Sequence, residues 1–244
     1  MVKNILTLLS LITAVNASAQ SNATPNIVLN DSWYVMQAGN VPWGYFHELI
    51  EKRGDRYSYR VVITKREGTD IYQESIGALA NEDLTTVSFN IVKSGLGATE
   101  IADGSFHPKD PNKKESGGMM KIKIQGAKNA SFSRAVSKGA IFDSFLPVWL
   151  SKNWEKLKVG AKGWTYIFTE DPDRQDFAQK TARYEVIAND TQNGCLKIKI
   201  EALPLKQTWC LTKQGQIVTL ESGRIKAKRV KNEQEAKATL DLKQ

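Results

Sequence analysis

Few side chains in this sequence could do covalent or acid–base chemistry: two cysteines, two histidines and a scatter of carboxylates. Cys195 and Cys210 lie in adjacent alternating runs. Cys195 shares a face with Lys197 and Lys199, and Cys210 shares one with Thr208 and Thr212, while Leu196, Ile198, Trp209 and Leu211 take the other face. A turn at Glu201–Pro204 makes these runs a hairpin with the cysteines opposite one another, which predicts a structural disulfide. Closing a loop of about fifteen residues is worth ~3 kcal/mol in the chain-entropy model. With no C-x-x-C pair and no histidine nearby, no metal site and no cofactor is expected. His47 sits in a strand-like run with Glu48 on the opposite face, so the two do not form a metal pair; it reads as a half-buried histidine with a satisfied hydrogen bond. His107 lies in a polar stretch. No G-x-S-x-G, H-E-x-x-H, Walker or Rossmann pattern occurs. A hydrolase built on His47 would need a serine or carboxylate within hydrogen-bond reach in a cleft, so the expectation is a protein that is not an enzyme. Asp70, Glu74, Glu82, Asp83, Asp171 and Asp173 invite a paired-carboxylate mechanism. Most of them sit at predicted turns, where acidic residues serve the local backbone, and they are assigned no chemistry.

The elements that must position these residues are mostly strands. Ile27–Gln37 and Val41–Arg53 read as strands joined at Ala38-Gly39-Asn40, the second with aromatics on both faces. Gly54-Asp55 turns the chain into an alternating run through Tyr57, Tyr59, Val61 and Ile63. Runs at Ile71–Leu79 and Thr85–Lys93 follow. From Gly95 to Gly118 the alternation dissolves into turn formers and charge, which predicts a long exposed loop. Alternation resumes at Met119–Gln125 and Ser131–Ser137. Beyond it, Ile141–Lys158 is the one segment of helical length and pattern: Phe145, Leu146, Trp149, Leu150, Trp154 and Leu157 recur at spacings of three and four, with Ser144 as cap and Pro147 in the first turn. Five more runs follow between Thr165 and Ser222. The basic segment Arg224–Lys231 offers a further strand, and Asn232 with Glu235 makes a capping box for a short C-terminal helix.

Residues 1–19 read as a signal peptide: Lys3, an apolar run over Ile5–Val15, and Ala17-Ser18-Ala19 before cleavage. No cysteine follows for a lipid anchor, and no later run reaches the ~18 apolar residues of a membrane span. Residues 20–244 are then a single exported β-rich domain, periplasmic or secreted, without a transmembrane segment. The leader takes one of the 34 basic residues and none of the 26 acidic ones, which leaves a mild positive excess suited to anionic envelope surroundings. The basic residues lie on alternating faces without interleaved aromatics, and nucleic acid is excluded as a partner. Five N-x-S/T triplets, at Asn16, Asn22, Asn30, Asn129 and Asn189, carry no inference in a chain of bacterial character.

Eleven or twelve strands in sequential hairpins would span ~50 Å at ~4.8 Å per strand, while a helix of about fourteen residues is only ~21 Å long. The helix cannot cover the apolar face, so the sheet must curl. The fold class expected is mainly β: a large curved antiparallel meander, a half-barrel, wrapped around one central helix, with a short helix at the C-terminus. Such a curve can enclose an apolar cavity.

Trp33 with the run Trp43-Gly44-Tyr45-Phe46-His47-Glu48, Leu157-Lys158-Val159-Gly160 before Trp164-Thr165-Tyr166-Ile167-Phe168, and Gln207-Thr208-Trp209 with Lys213-Gln214-Gly215-Gln216 resemble bacterial exported proteins of unknown function. Their sheets are similar to the fold of periplasmic lipoprotein carriers and outer-membrane lipoprotein receptors, an incomplete barrel lidded by helices. The chain departs from that pattern in having one main helix and no anchor cysteine, and no functional residue transfers. The expectation is an envelope protein binding a lipid, acyl chain or other apolar ligand, with Phe46, Tyr57, Tyr59, Trp149 and Trp154 in the walls. The other expectation is a scaffold that docks an envelope protein partner through the 95–118 loop or the basic C-terminal strand.

Overall fold

A computed structural model describes residues 25–95, 97–110, 117–127, 129–171 and 176–241. The leader 1–19 and Asp173 lie outside them. Fifteen strands make one sheet: β1 (Asn26–Ala38), β2 (Val41–Arg53), β3 (Arg56–Glu67), β4 (Asp70–Asn81), β5 (Thr86–Gly95), β6 (Ala98–Pro108), β7 (Gly118–Gln125), β8 (Ala130–Val136) and β9 (Ile141–Phe142) precede the central helical segment, and β10 (Lys162–Asp171), β11 (Asp176–Asp190), β12 (Cys195–Ala202), β13 (Leu205–Leu211), β14 (Ile217–Ser222) and β15 (Ile225–Val230) follow it. Alternation explains most of them. In β7, Met120, Ile122 and Ile124 are buried and the residues between them exposed, the signature of a sheet wet on one side.

Every strand pairs with its sequence neighbour except at one junction and one gap. β15 returns to β1 in antiparallel register, Met36 opposite Ala227, so two meanders, β1–β8 and β9–β15, join side by side. The sheet order therefore ends at β8 on one side and β9 on the other. The sheet curls until these ends approach without closing. Arg134 Nε of β8 donates to the Phe177 carbonyl of β11 at 3.1 Å, and Gln179 Nε2 donates to Ser137 Oγ at 2.9 Å. Inside the curve an aromatic cluster fills much of the space: Phe89 stacks on Phe177 at 5.4 Å and meets Phe142 edge-on at 6.0 Å.

The stretch Gly95–Gly118 is not the loop that its composition predicts. Residues 98–108 are β6, paired along its length with β5 and β7. Two of its turn-forming residues have a structural reason. Gly104 lies directly under the Phe89 ring, where a Cβ would stand 2.0 Å from a ring carbon, and Asp103 accepts a hydrogen bond from Asn90 Nδ2 across the ladder at 2.7 Å. The docking role expected of a 95–118 loop loses its loop; residues 111–116 lie outside the description.

The central helix is also shorter than the periodicity predicts. Ile141 and Phe142 pair in parallel with Ile167 and Phe168 of β10. A 3-10 turn covers Asp143–Phe145, and α1 is Leu146–Lys152, seven residues. Asn153 then breaks the helix, its Nδ2 donating back to the Trp149 carbonyl at 2.9 Å. Ser144 makes no capping bond. α2 (Glu233–Asp241) begins at the expected cap: the Glu235 amide donates to Asn232 Oδ1, while the Glu235 side chain reaches one residue further back than a capping box does and accepts from the Lys231 amide, both at 3.0 Å. Ala236 and Leu240 are its buried residues, and it packs on β2 and β1. Among the described residues no helix is long and apolar enough to cross a membrane.

Candidate functional site

Turns fall alternately at the two ends of the curled sheet, and the segment around α1 covers one end. Lys152 Nζ donates to the Glu82 carbonyl in the β4–β5 turn at 2.8 Å, and Lys213 pairs with Glu155 at 3.2 Å from the β13–β14 turn. The opposite end, which carries the turns after β1, β3, β12 and β14, is rimmed by exposed Val41, Ile71, Leu203 and Ile225. Between α1 and that rim lies a cavity of about 420 Å3. Its walls are mostly aliphatic and aromatic, from Met36, Val61, Ile76 and Ala202 to Trp209 and Leu220, with Leu146 and Pro147 as its floor. A larger depression of about 690 Å3 lies on the outer face of β3–β8. It is an open trough of serines, lysines and Arg60 that encloses nothing, and Asn90 in it is already bonded to Asp103. The inner cavity is the candidate site.

The carboxyl group of Glu48 lies deep in its apolar wall. Glu48 is buried on β2, with Ser32 of β1 and Val61 of β3 beside it in register. Asn30 Nδ2 donates to Glu48 Oε2, and Ser32 Oγ donates to Asn30 Oδ1 at 2.6 Å. Burial, which penalises the charged form, raises the Glu48 carboxyl from 4.5 to about 7; hydrogen bonding by Tyr59 and Asn30, with the neighbouring Tyr34, pulls the other way. Tyr34, 2 % exposed, faces the same network. Burial first, and then the Glu48 charge, hold its phenol far above its usual range. Its hydroxyl lies close enough to Glu48, Asn30 and Ser32 to feel them, yet makes no hydrogen bond of proper geometry. Such an arrangement can bind and orient a polar group in a low-dielectric setting, where hydrogen bonds are strong and unpaired groups costly.

Of the five wall residues expected from sequence, Phe46 and Tyr59 line this cavity. Tyr57, Trp149 and Trp154 do not. Tyr57 is buried against Phe145, ring centroids 6.4 Å apart and edge-on; Trp149 meets Tyr184 at 6.1 Å; Trp154 is half-buried against the same core. Trp149 lies on α1 and Trp154 beyond its end, and both are half-buried against the core outside the cavity lining. Tyr34, Glu48 and Ser144 were missed. The signal for Glu48 was present, since it shares a strand face with Phe46 and Ile50, opposite to His47. His47 is on the outer face, stacked on Trp33 at 4.4 Å with Nε2 2.7 Å from Asp31 Oδ1, and lies outside the cavity. His107 hydrogen-bonds Ser105 at 3.1 Å. Of the acidic residues, Glu82 pairs with Lys52 and Asp83 holds Thr85 in a turn, whereas Glu74 lies in the wall.

Cys195 and Cys210 form a disulfide with Cα atoms 5.4 Å apart; both are buried, on the strand face that alternates with Leu196 and Leu211. They are diagonal rather than opposite: Cys210 faces Lys197, because the hairpin turns at Ala202–Leu205. The bond is compatible with an oxidising compartment.

No protein-family model matches the sequence, and no curated protein matches it. Among solved structures it is similar to the crystal structure of a β-barrel-like protein of a domain of unknown function, DUF1849, from Brucella abortus. The TM-score is 0.54 at 12% sequence identity, over 86% of this chain and 97% of that one. At this identity the likeness speaks to fold alone. It defines the class, a mainly β, barrel-like protein with one large curved sheet that does not close, and its printed description agrees with the expectation of a barrel-like protein of unknown function.

Proposed function

We propose that the chain is a non-enzymatic binding protein of the cell envelope that holds an amphipathic ligand, a lipid or acyl-chain compound, in the cavity between the curved sheet and α1. The observation that carries this reading is the cavity itself. Protein interiors pack as densely as organic crystals and leave few voids larger than a water molecule; this interior is packed with aromatics around Phe89, yet beside them stays open over about 420 Å3, within the ~300–1,000 Å3 of small-molecule sites. The signal-like leader and the disulfide support the envelope as its location.

Native mass spectrometry of the mature chain, purified gently from its own envelope, tests the reading. A stoichiometric adduct lost on denaturation is expected, with lipid analysis giving its class. Ala202 lies buried in the wall, so an Ala202→Trp variant that folds should fill the space and carry no adduct. A clean apo mass that persists after incubation with envelope lipids overturns the proposal.

A further inference from the structure

The cavity is chemically one-sided. Three of its lining residues carry carboxyl groups, Glu48, Glu74 and Asp143, and none is Lys, Arg or His, although the sequence as a whole carries a net +8. Glu74 stands across from Lys93 in the β4–β5 register, and Asp143 accepts the Ser144 amide at 2.9 Å. Glu48, by contrast, is set among neutral groups: Asn30, which donates to it, and the neighbouring Tyr59 and Tyr34. Arg229, the cation that acts on Tyr34, holds Gln216 Oε1 at 2.6 Å.

An independent observation concerns the hydroxyls. Among the described residues, two buried side-chain polar atoms have no hydrogen-bond partner, Tyr34 Oη and Ser144 Oγ, and both residues line this cavity. Buried polar groups are nearly always paired, and one left unmade costs as much as a lost hydrogen bond. Both line the cavity that the buried Glu48 carboxyl group also lines, where a polar group brought by a ligand would pair them.

Building on the binding reading above, we infer that the ligand enters head first and that its head is an ammonium group, held by Glu48 with Tyr34 and Ser144, while its apolar tail lies along Met36, Leu205 and Ile225 toward the rim. An ammonium group presents three donors and no acceptor, which suits a carboxylate and two hydroxyl oxygens. A fatty acid is disfavoured: its carboxylate would meet Glu48 as a like charge, with no cation lining the cavity to separate them.

The test is calorimetric titration of the delipidated mature chain at pH 8 with dodecylamine, dodecanol and dodecanoate, each below its micellar concentration. The ammonium adds an opposite charge to the hydrogen bond that an alcohol also makes with the Glu48 carboxylate, so the amine should bind on the order of tenfold tighter than the alcohol, with the carboxylate weakest. Glu48→Gln should erase the amine's advantage over the alcohol; Tyr34→Phe should weaken the amine several-fold. Should Glu48→Gln fail to fold, the ranking of heads on the wild-type chain decides. Dodecanoate binding as tightly as the amine, or a folded Glu48→Gln chain that keeps its preference for the amine, overturns the head-group assignment and leaves cavity binding standing. Failure of all three probes to bind overturns both.

Discussion

Burying one carboxyl group makes the stability of the whole molecule depend on pH in an unusual direction. The Glu48 carboxyl titrates at about 7 in the folded chain, against 4.5 in the unfolded one, because burial penalises its charge. Between those values the unfolded chain has released a proton that the native chain still holds, so stability falls as pH rises from about 4.5 to about 7 and is level above that. The difference of two to three pH units corresponds to about 3 kcal/mol. Paired surface carboxylates act in the opposite sense; Glu82, bonded to Lys52, titrates below its usual value. Glu48→Gln keeps an acceptor for Asn30 and removes the titration. Urea unfolding at pH 4, 6 and 8 should therefore show the variant gaining on the wild type as pH rises, by a few kcal/mol in all. Parallel curves for the two chains would show that Glu48 is ionised without penalty and that its surroundings are wetter than the structure indicates.

At the scale of elements, the segment Ile141–Lys158 separates what a sequence shows from what it hides. Its apolar spacing announced a buried object inside the sheet, and Phe145, Leu146 and Leu150 are indeed buried. The spacing could not show that Ile141 and Phe142 would be taken by a ladder with β10, nor that Asn153 would stop the helix. Periodicity records which side chains are covered, and a strand, a 3-10 turn and a short helix can share one periodic apolar pattern. β6 failed for the converse reason: Gly104 and Asp103 are turn residues by composition, but here a ring and a cross-strand amide occupy them, and both partners come from a different strand. The curled sheet, the cap of α2 and the disulfide were legible because each rests on residues close in sequence. Glu48 and Tyr34 were not read as a site, although the β1–β2 hairpin was expected, because register shifts in it after Val28 and Met36 decide which residues face one another. Phe145 is the residue through which the helical segment holds the barrel, fully buried and edge-on to both Tyr57 and Tyr59 at 6.4 and 6.1 Å. Phe145→Ala should destabilise the chain by about 3–5 kcal/mol, whereas Trp149→Ala, from a half-buried site, should cost less; denaturant midpoints in the reverse order would place the anchor on the indole.

For the whole molecule, the consequence of an unclosed sheet is a seam. Elsewhere each strand is held by two ladders or by a ladder and the helical segment, but among the described residues β8 has β7 on one side and, on the other, side-chain bonds in place of a ladder: Arg134 to the Phe177 carbonyl of β11, and Gln179 of β11 to Ser137 just after β8, with Phe132 meeting Phe177 behind them at 6.2 Å. β11 pairs with β10 from Asp176 to Glu185 but with β12 only over Arg183–Asp190, and among the described residues no ladder joins the remaining edge of its first half to β8. The wall can thus part here with the fewest bonds broken, and a strand exposed in this way belongs to the low-stability end of a fold. At about 1 kcal/mol per hydrogen bond, removing both side chains with Arg134→Ala and Gln179→Ala should lower the protection of the β8 amides by more than roughly tenfold in native-state hydrogen exchange. The β12–β13 hairpin, closed by its ladder and by the Cys195–Cys210 disulfide, should keep its protection unchanged. Uniform loss over both regions would mean that the sheet opens as one cooperative unit. Selective loss at β8 would show that the two meanders are joined firmly at β1 and β15 and loosely at the seam, so that the space between them can widen without unfolding either one.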